Sequence, residues 1–222
     1  MIITIHQPDF MPWLGFFDRW EKSDLFVVLD DVQFLRRGWH HRDKIKTSNG
    51  IQWLTVPVNK KGLYDQQIKN VVISNHSNWK KKHLNTVSTA YSKAPNFQFI
   101  FNEYSKVLLS DYSLLIDLNM NLLYSFSKIL EIKTPIIFSS HLNEHSTKTK
   151  RLVNIVKKCG GNTYLSGLGA KDYLDEELFE NEGIKVIWQQ FEHPQYSQLH
   201  GKFVEKLSII DFLMMKSVPL VK

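Results

Sequence analysis

Side chains that can move protons stand directly after two apolar runs near the start of the chain. His6 and Gln7 follow the first run, and Asp30 and Asp31 follow the second. An imidazole is well suited to act as a general base near neutral pH, and a carboxylate beside it can accept or orient a proton. His6 and Asp30 are therefore candidate catalytic residues, and a hydrogen-bonded structural role for His6 stays open as the alternative.

Three later apolar runs are followed in the same way by polar residues or glycine. These residues are Ser139, Ser140, His141, Ser166, Gly167, Gln189, Gln190 and His193. Ligands of open α/β sheets bind beside the carboxyl ends of the parallel strands. If the five runs are strands of one sheet, their polar residues meet at one edge, and the sequence predicts a pocket there. Turns are polar in most proteins, so part of this pattern needs no ligand.

The segment DVQFLRRGWHHRDKIK, residues 31–46, is the richest in groups that bind anions. The guanidinium groups of Arg36 and Arg42 can each form two hydrogen bonds to a phosphate. Trp39 offers a flat face on which a base or sugar ring can stack, and His40 is predicted to titrate near neutral pH. Single-stranded nucleic acid suits the same mixture, but no helix-turn-helix, zinc-finger or RNP motif accompanies it. A basic surface loop without a ligand is the other alternative.

Two loops rich in glycine, proline and polar residues complete the predicted site. Ser166 and Gly167 belong to YLSGLGAKDYLD, where the missing Cβ of a glycine lets a phosphate or sugar approach the backbone. HPQYSQ, residues 193–198, can be a wall of the pocket or an ordinary surface turn. The phosphate-binding P-loop, G-x-G-x-x-G and G-x-S-x-G patterns are absent. No spacing matches a metal motif, so no metal site is predicted and the cofactor is unknown.

The order of the predicted elements favours an α/β fold with a mostly parallel, Rossmann-like sheet flanked by helices. A strand at residues 2–5, a helix at 13–22 that Pro12 begins, and a strand at 24–29 form a βαβ unit. Later elements are predicted as strands at 135–138, 163–165 and 186–188 and as helices at 147–158 and 206–214.

The middle of the chain is predicted to be an insertion. Residues 53–58 and 67–73 have the pattern of antiparallel strands joined by a turn at Gly62, and Pro57 favours an edge position for the first. Residues 78–131 follow a helical pattern that is broken around Pro95. We therefore predict a single α/β domain over residues 1–222, with an inserted β-hairpin and helical segment at about 50–131.

The composition is that of an ordinary globular protein with an excess of positive charge. The 222 residues are 43% hydrophobic and 23% charged, and the formal net charge is +6. This charge favours an anionic partner, either a phosphorylated small molecule or nucleic acid. No run reaches the ~18 apolar residues of a membrane helix, and the first residues do not resemble a signal peptide. With Cys159 as the single cysteine, we expect a cytoplasmic protein without membrane insertion.

Several separated motifs together resemble the WbqC-like protein family. They are HQPDFMPWLGFFDRW, DLFVVLDDVQFLRRGWHHRDKI, WLTVPV, YLSGLGAKDYLD, HPQYSQLHGKF and LSIIDFL, and the match extends from about residue 3 to residue 214. The family occurs in gene clusters for O-antigen, a part of lipopolysaccharide, and for other surface polysaccharides. The resemblance implies a transferase acting on a nucleotide-linked sugar, with acyl or aminoacyl transfer to a sugar amine as one form of the reaction. This chain has His41-Arg42-Asp43 where the family pattern often has Asn-Arg-Asn.

The start of the chain also resembles the nucleotidyltransferase and pantothenate-synthetase superfamily. Those proteins bind ATP at an H-x-G-H turn that opens the first helix. Here the matching residues read Pro12-Trp13-Leu14-Gly15, without a second histidine. A nucleotidyltransferase-like enzyme is therefore an alternative in which the fold is shared.

The motifs and the resemblance together give a set of predicted site residues. The predicted catalytic residues are His6, His193 and Asp30. The predicted substrate-binding residues are Gln7, Trp13, Asp31, Gln33, Arg36, Trp39, His40, Arg42, Ser166, Gly167, Tyr173, Tyr196 and Gln198. The expected partner is a sugar nucleotide, and the chain could also form a homo-oligomer. A non-catalytic nucleic-acid-binding protein and a scaffold for polysaccharide assembly are the alternative functions.

Overall fold

The computed structural model describes residues 1–75 and 77–216, and these form two compact units. Unit 1 consists of Met1–Gln7, Gly15–Asp31 and Ile132–Glu192. Unit 2 consists of Pro8–Leu14, Val32–Glu131 and the described residues from His193 onward. In addition to the insertion predicted at about 50–131, the second unit therefore includes residues 8–14, 32–49 and 193–216, and the single-domain organisation stays a prediction.

Seven strands and seven α-helices are assigned within the described residues. The strands are β1 (Ile2–His6), β2 (Leu25–Val28), β3 (Arg42–Thr47), β4 (Gly50–Thr55), β5 (Ile136–Phe138), β6 (Thr163–Ser166) and β7 (Lys185–Trp188). The helices are α1 (Leu14–Glu21), α2 (Trp79–Tyr91), α3 (Phe97–Leu109), α4 (Leu115–Ile129), α5 (Lys148–Lys158), α6 (Glu176–Glu180) and α7 (Ile209–Met215).

Unit 1 is built on a five-stranded parallel sheet, which confirms the predicted α/β fold class. The strand order is β5-β2-β1-β6-β7, and every pairing is parallel. The short apolar run of β2 forms a strand whose two faces are both covered, as the complete burial of the consecutive residues Phe26 and Val27 shows. Tyr164 of β6 stacks on Phe179 of α6 with ring centroids 5.1 Å apart. Aromatic packing thus joins the sheet to a helix.

The strand order places a topological switch point at β1. The chain runs from β1 through α1 to β2 on one side, whereas β6 pairs with the other side of β1. Ligands of such sheets bind where the order reverses, outside the carboxyl ends of the strands. The switch point therefore lies between the ends of β1 and β6, rather than between β1 and β2.

Unit 2 contains an antiparallel hairpin whose pairing differs from the prediction. β4 pairs with β3, and the turn between them includes Gly50 at φ 98°. The predicted pairing of residues 53–58 with 67–73 is wrong: their described contact is one isolated bridge, Val58–Ile73, and Ile68–Asn70 form a 3₁₀ turn. Pro57 has no backbone N–H, so it cannot extend the ladder as a donor.

The helical part of the insertion agrees with the prediction. Helices α2, α3 and α4 occupy the predicted helical stretch, and Pro95 lies between α2 and α3. The apolar stripe of α4 is buried, including Leu118 and Leu122. The last helix begins at Ile209 rather than at the predicted residue 206, because Lys206 adopts a left-handed φ of 56°.

Within the described residues, no helix is both long enough and apolar enough to cross a membrane. Cys159 follows α5 and is partly buried against the core of unit 1. Burial raises the pKa of its thiol, so the thiol is protonated and poorly nucleophilic at neutral pH. This environment agrees with a structural role.

Candidate functional site

The carboxyl end of β1 presents His6 in a defined orientation in unit 1. Its Nδ1 lies 2.8 Å from the carbonyl oxygen of Gln7, and its ring meets Phe16 edge-on at 4.9 Å. A carbonyl can only accept, so this contact favours the tautomer with hydrogen on Nδ1 and the lone pair on Nε2. The predicted catalytic role of His6 stays a prediction.

The end of β6 carries a buried cation that the sequence analysis missed. Gly167 lies directly against the guanidinium of Arg19, which is 8% exposed, and a Cβ at residue 167 would collide with Nη1. The group that approaches this glycine is therefore a side chain of α1, and the predicted contact of Gly167 with a substrate stays a prediction. Arg19 stands alone as a cation among the aromatic residues of that helix, which was the available signal.

The end of β7 is tied to the start of α1 through Gln189. Its Nε2 donates to the carbonyl of Gly15 at 2.7 Å and to Asp18 at 2.8 Å, and its backbone N–H donates to Ser166. Ser166 is buried at the end of β6. These bonds fix the positions of the first turn of α1 and of β6 within unit 1.

Asp30 and Asp31 hold the loop after β5. The Asp30 carboxylate accepts from the hydroxyls of Ser139 and Ser140 at 3.1 and 2.7 Å and from the backbone of Ser140 at 3.0 Å. Asp31 pairs with Arg151 at 2.6 Å and accepts from Ser139 at 2.5 Å. Both carboxylates thus have several donors, and these contacts stabilise the loop. A catalytic role for Asp30 and a substrate-binding role for Asp31 stay predictions.

Unit 2 brings cations and aromatic rings together on its surface. We call this group the cation–aromatic surface, and its members are Arg36, Trp39, Arg42, Lys44, Trp53, Lys60 and Tyr64. Trp39 and Trp53 are 45% and 43% exposed, and their ring centroids are 5.3 Å apart. The Arg42 guanidinium lies 4.5 Å from the Trp53 centroid, and Lys44 Nζ lies 5.8 Å from that of Trp39. This part of the surface can offer a flat ring and a cation to one ligand.

The other end of the same surface is formed by the loop before the hairpin and the loop after it. Arg36 stacks over Tyr64 at 4.0 Å and donates to the carbonyl of Lys60 at 2.5 Å. Gln33 donates to the carbonyl of Tyr64 at 3.0 Å. The structure thus adds contact partners that were not predicted to the predicted residues Gln33, Arg36, Trp39 and Arg42. The contacts of Lys60 and Tyr64 with Arg36 could not be predicted from the sequence, because these residues are close to Arg36 only in the folded protein.

The charge of the cation–aromatic surface is largely uncompensated near neutral pH. Residues 36–61 contain seven Lys and Arg residues and one acidic residue, Asp43. Burial raises the pKa of the Asp43 carboxyl from 3.8 to about 8, and the neighbouring Asp9 charge adds to this rise, whereas the Lys44 backbone N–H opposes it. A protonated Asp43 does not neutralise the cations around it. The region therefore attracts anions.

The prediction that His40 titrates near neutral pH is wrong. Burial and, to a smaller extent, the adjacent His41 lower the pKa of His40 from 6.5 to about 4. Its Nδ1 accepts from the backbone N–H of Leu35 at 3.3 Å, and its Nε2 lies 3.9 Å from Asp9. Because His40 is buried and neutral, it packs beneath the loop rather than adding a surface charge. Its predicted role in substrate binding stays a prediction.

The remaining predicted residues of unit 2 form an aromatic row and a buried polar network. His193 stacks between Trp13 at 6.4 Å and Tyr196 at 6.1 Å, and its Nδ1 lies 3.1 Å from the Pro194 carbonyl. As in His6, this contact favours a lone pair on Nε2. The row shows how His193 is oriented.

Asp211, which the sequence analysis missed, is the centre of the network. This buried carboxylate accepts from the hydroxyls of Tyr91 and Tyr196, both at 2.7 Å, and from Gln198 at 2.9 Å. Lys46 Nζ donates to Gln198 at 3.2 Å. Tyr196 and Gln198 thus have structural partners, and their predicted substrate contacts stay predictions.

The predicted substrate contact of Tyr173 has no further support in the geometry. Tyr173 is 72% exposed on the loop between β6 and α6. Among the residues that the structure describes, no group of three or more His, Cys, Asp or Glu side chains could hold a metal ion.

Comparison with known proteins places the chain in a family. The profile of the WbqC-like protein family matches residues 7–222. The chain belongs to the WbqC-like family. The resemblance drawn from the sequence motifs is thereby confirmed. The chain is also 35% identical to an uncharacterized protein of Mycobacterium tuberculosis over 213 residues, which cover 95% of this chain and 92% of the relative. No solved structure matches it.

The WbqC-like match spans segments of both units. It includes the switch-point residues of unit 1 that follow His6 and the whole cation–aromatic surface of unit 2. Family membership therefore applies to both sets of candidate site residues, and it assigns no reaction to either.

Proposed function

We propose that this WbqC-like protein is a transferase that modifies a nucleotide-linked sugar, and that the cation–aromatic surface binds the nucleotide. The exposed pair Trp39–Trp53, with Arg42 and Lys44 beside the rings, is the observation that supports this most directly. A nucleotide offers a flat base and a polyanionic diphosphate within a short distance. The surface offers the complementary groups, a flat ring and several cations.

The expected strength of this contact follows from its two parts. Stacking a base on an exposed aromatic ring contributes about 1–3 kcal/mol. Hydrogen bonds between a guanidinium and a phosphate are charge-assisted, at roughly twice the strength of neutral ones. The protonation of Asp43 near neutral pH leaves the cations available to the diphosphate. A nucleoside diphosphate sugar should therefore bind more tightly than the corresponding nucleoside.

The transfer itself requires a base for the acceptor group. In acyl transfer to a sugar amine, the nitrogen attacks the acyl carbon, the bond from that carbon to its leaving group breaks, and a base takes the proton from nitrogen. His6 and His193 are the two candidates, because each has a backbone carbonyl at Nδ1 and a lone pair on Nε2. The chemical identity of the acyl donor is left to experiment.

Nucleotide binding can be measured by tryptophan fluorescence quenching and by calorimetry with UDP- and dTDP-sugars. Trp53→Leu should weaken binding about fivefold to a hundredfold, which is the loss of one stacking contact. Arg42→Gln should weaken binding of the diphosphates more than binding of nucleosides. Tyr124→Leu and Lys106→Gln are matched controls, because they remove an exposed ring and an exposed cation from α4 and α3. If no sugar nucleotide in a broad panel binds, the proposal is wrong.

Catalysis is tested separately from binding. His6→Ala and His193→Ala should keep most of the nucleotide affinity, and the variant that lacks the base should lose turnover. If both variants retain full turnover with an identified donor and acceptor, neither histidine is the base.

Single-stranded nucleic acid is the second candidate, because the Trp39–Trp53 pair and the surrounding cations also suit a stacked oligonucleotide. Oligonucleotide binding would weaken steeply with salt, with a slope set by the number of phosphates contacted. Binding of an oligonucleotide that far exceeds that of any mononucleotide would favour this alternative over the transferase. A scaffold for polysaccharide assembly would bind neither ligand.

A further inference from the structure

A pocket in unit 2 lies on the hairpin face opposite Trp53. It has a volume of about 240 Å³ and is lined by Thr47, Ser48, Asn49, Gln52, Asn85, Thr86, Thr89 and Ala90. The hairpin turn and Gln52 of β4 form one wall, and α2 forms the other. Gln52 and Trp53 are consecutive in a strand, so their side chains point to opposite faces. The pocket is therefore distinct from the cation–aromatic surface.

The lining has an unusual chemistry for a protein with net charge +6. Seven of the eight residues carry a hydroxyl or an amide, and none of the eight is ionisable or aromatic. Hydroxyls and amides can both donate and accept hydrogen bonds. The lining offers no opposite charge to a charged ligand, and it offers little apolar surface to an apolar one beyond Ala90. A neutral ligand with several hydroxyl groups matches this lining.

The pocket contains both fixed and available polar groups. The Thr47 hydroxyl donates to the carbonyl of Gly50 at 2.9 Å and accepts from the backbone of Asn49 at 3.2 Å, which fixes the turn. Thr86 donates to the carbonyl of Lys82 at 2.8 Å, so its oxygen can still accept. The side chains of Gln52, Asn85 and Thr89 are exposed and line the pocket. These three groups are accessible to a ligand from solvent.

We propose that this pocket binds one uncharged sugar ring of a saccharide, through the amides of Gln52 and Asn85 and the hydroxyls of Thr86 and Thr89. Vicinal sugar hydroxyls donate and accept at close spacing, as the lining groups do. The volume is smaller than the ~300–1,000 Å³ of sites for drug-sized ligands, which favours a single ring over an oligosaccharide. The bound sugar is distinct from a nucleotide stacked on Trp53, because the two sites occupy opposite faces of the hairpin.

Saturation-transfer NMR with the full chain and a panel of neutral monosaccharides and disaccharides tests the proposal. Saturation should transfer from the protein to the ring protons of at least one sugar, and the dissociation constant should be in the millimolar range. Gln52→Ala and Asn85→Ala should each weaken binding by up to about tenfold, because each removes a hydrogen-bonding amide. Asn121→Ala removes an exposed amide from α4 and should leave the sugar affinity unchanged.

The same variants separate this site from the nucleotide site. Trp53→Leu should keep the sugar affinity, and Asn85→Ala should keep the nucleotide affinity. The proposal is overturned if no neutral sugar gives signal transfer, or if binding survives both pocket substitutions at full strength. It is also overturned if Trp53→Leu abolishes sugar binding. Failure of nucleotide binding alone leaves the sugar result interpretable, since the two assays use different ligands and different variants.

Discussion

Replacing Asp43 by asparagine should change how the stability of the protein depends on pH. The Asp43 side chain is buried, at 3% exposure, and burial raises the pKa of its carboxyl from 3.8 to about 8. Between these values the folded state keeps a proton that the unfolded state has lost. The stabilisation from that proton is fully present below about pH 4 and is lost as the pH rises to about 8.

The size of the effect follows from linkage. One extra proton bound by the folded state changes the free energy of unfolding by up to about 1.4 kcal/mol per pH unit. From about pH 5 to about pH 8, the wild type should therefore lose up to about 4 kcal/mol relative to Asp43→Asn. Asparagine keeps an oxygen that can accept from the backbone N–H of Lys44, as Asp43 does at 2.6 Å. The substitution thus removes the titration with little change in hydrogen bonding.

Urea unfolding of the wild type and Asp43→Asn at several pH values across this range measures the difference. The gap between the two free energies should widen steadily with pH in favour of the variant. Asp111→Asn is the matched control, because the Asp111 side chain is fully exposed, and its gap to the wild type should stay nearly constant. If the wild-type and Asp43→Asn curves run parallel, Asp43 is ionised in the folded protein and the reasoning fails.

Three further substitutions test buried contacts, with urea or thermal unfolding as the measurement. Burial lowers the pKa of His83 from 6.5 to about 4, so the free energy of unfolding of the wild type falls as the pH drops between these two values. His83→Gln lacks this titration, and over the same pH range its free energy of unfolding should fall by up to about 3 kcal/mol less than that of the wild type. Tyr196→Phe removes one donor to the buried Asp211 carboxylate and should lower the free energy of unfolding by about 1–3 kcal/mol. Gly161→Ala places a methyl group directly against Ile3 in the core of unit 1 and should cost about 1–3 kcal/mol.

Exposed counterparts provide the controls for these three changes. His145→Gln and Tyr124→Phe make the same chemical change at partly or fully exposed positions, and Gly169→Ala adds a methyl group where nothing lies within 4 Å. Each control should stay within about 0.5 kcal/mol of the wild type under the same conditions. A buried variant that behaves like its exposed counterpart would contradict the packing or pKa argument made for it.

The central strands of the parallel sheet in unit 1 could be predicted from sequence because β1, β2 and β6 are buried. Such strands appear as short continuous apolar runs, and the runs at β1 and β2 needed no tertiary information. β3 was missed for the opposite reason. Its sequence RDKIKT has a cation at every second position, and its buried residues include Asp43 and Lys46 as well as Ile45, so no apolar run marks it. The partner of β4 was therefore assigned to a later segment that has more β-branched residues.

For the candidate sites, too, the sequence did not predict contacts that form only through tertiary folding. Arg36, Trp39 and Arg42 could be selected because they stand close together in the sequence. Tyr64 and Trp53 could not, because they reach the arginines only through the fold of unit 2.

The carboxylates Asp30 and Asp31 show a different limit, since a pair at a strand end looks the same in the sequence whether it binds a substrate or holds a loop. The contacts of these carboxylates with Ser139, Ser140 and Arg151 could not be predicted from the sequence, because those residues are far away along the chain.

The position of β1 in the centre of its sheet has a consequence for synthesis on the ribosome. Ile2 pairs with Thr163, so β1 waits for a neighbour that is synthesised far later. At about 5–20 residues per second, this wait lasts on the order of ten to thirty seconds. During that time the backbone N–H and C=O groups on the edge of β1 that later pairs with β6 have no strand partner.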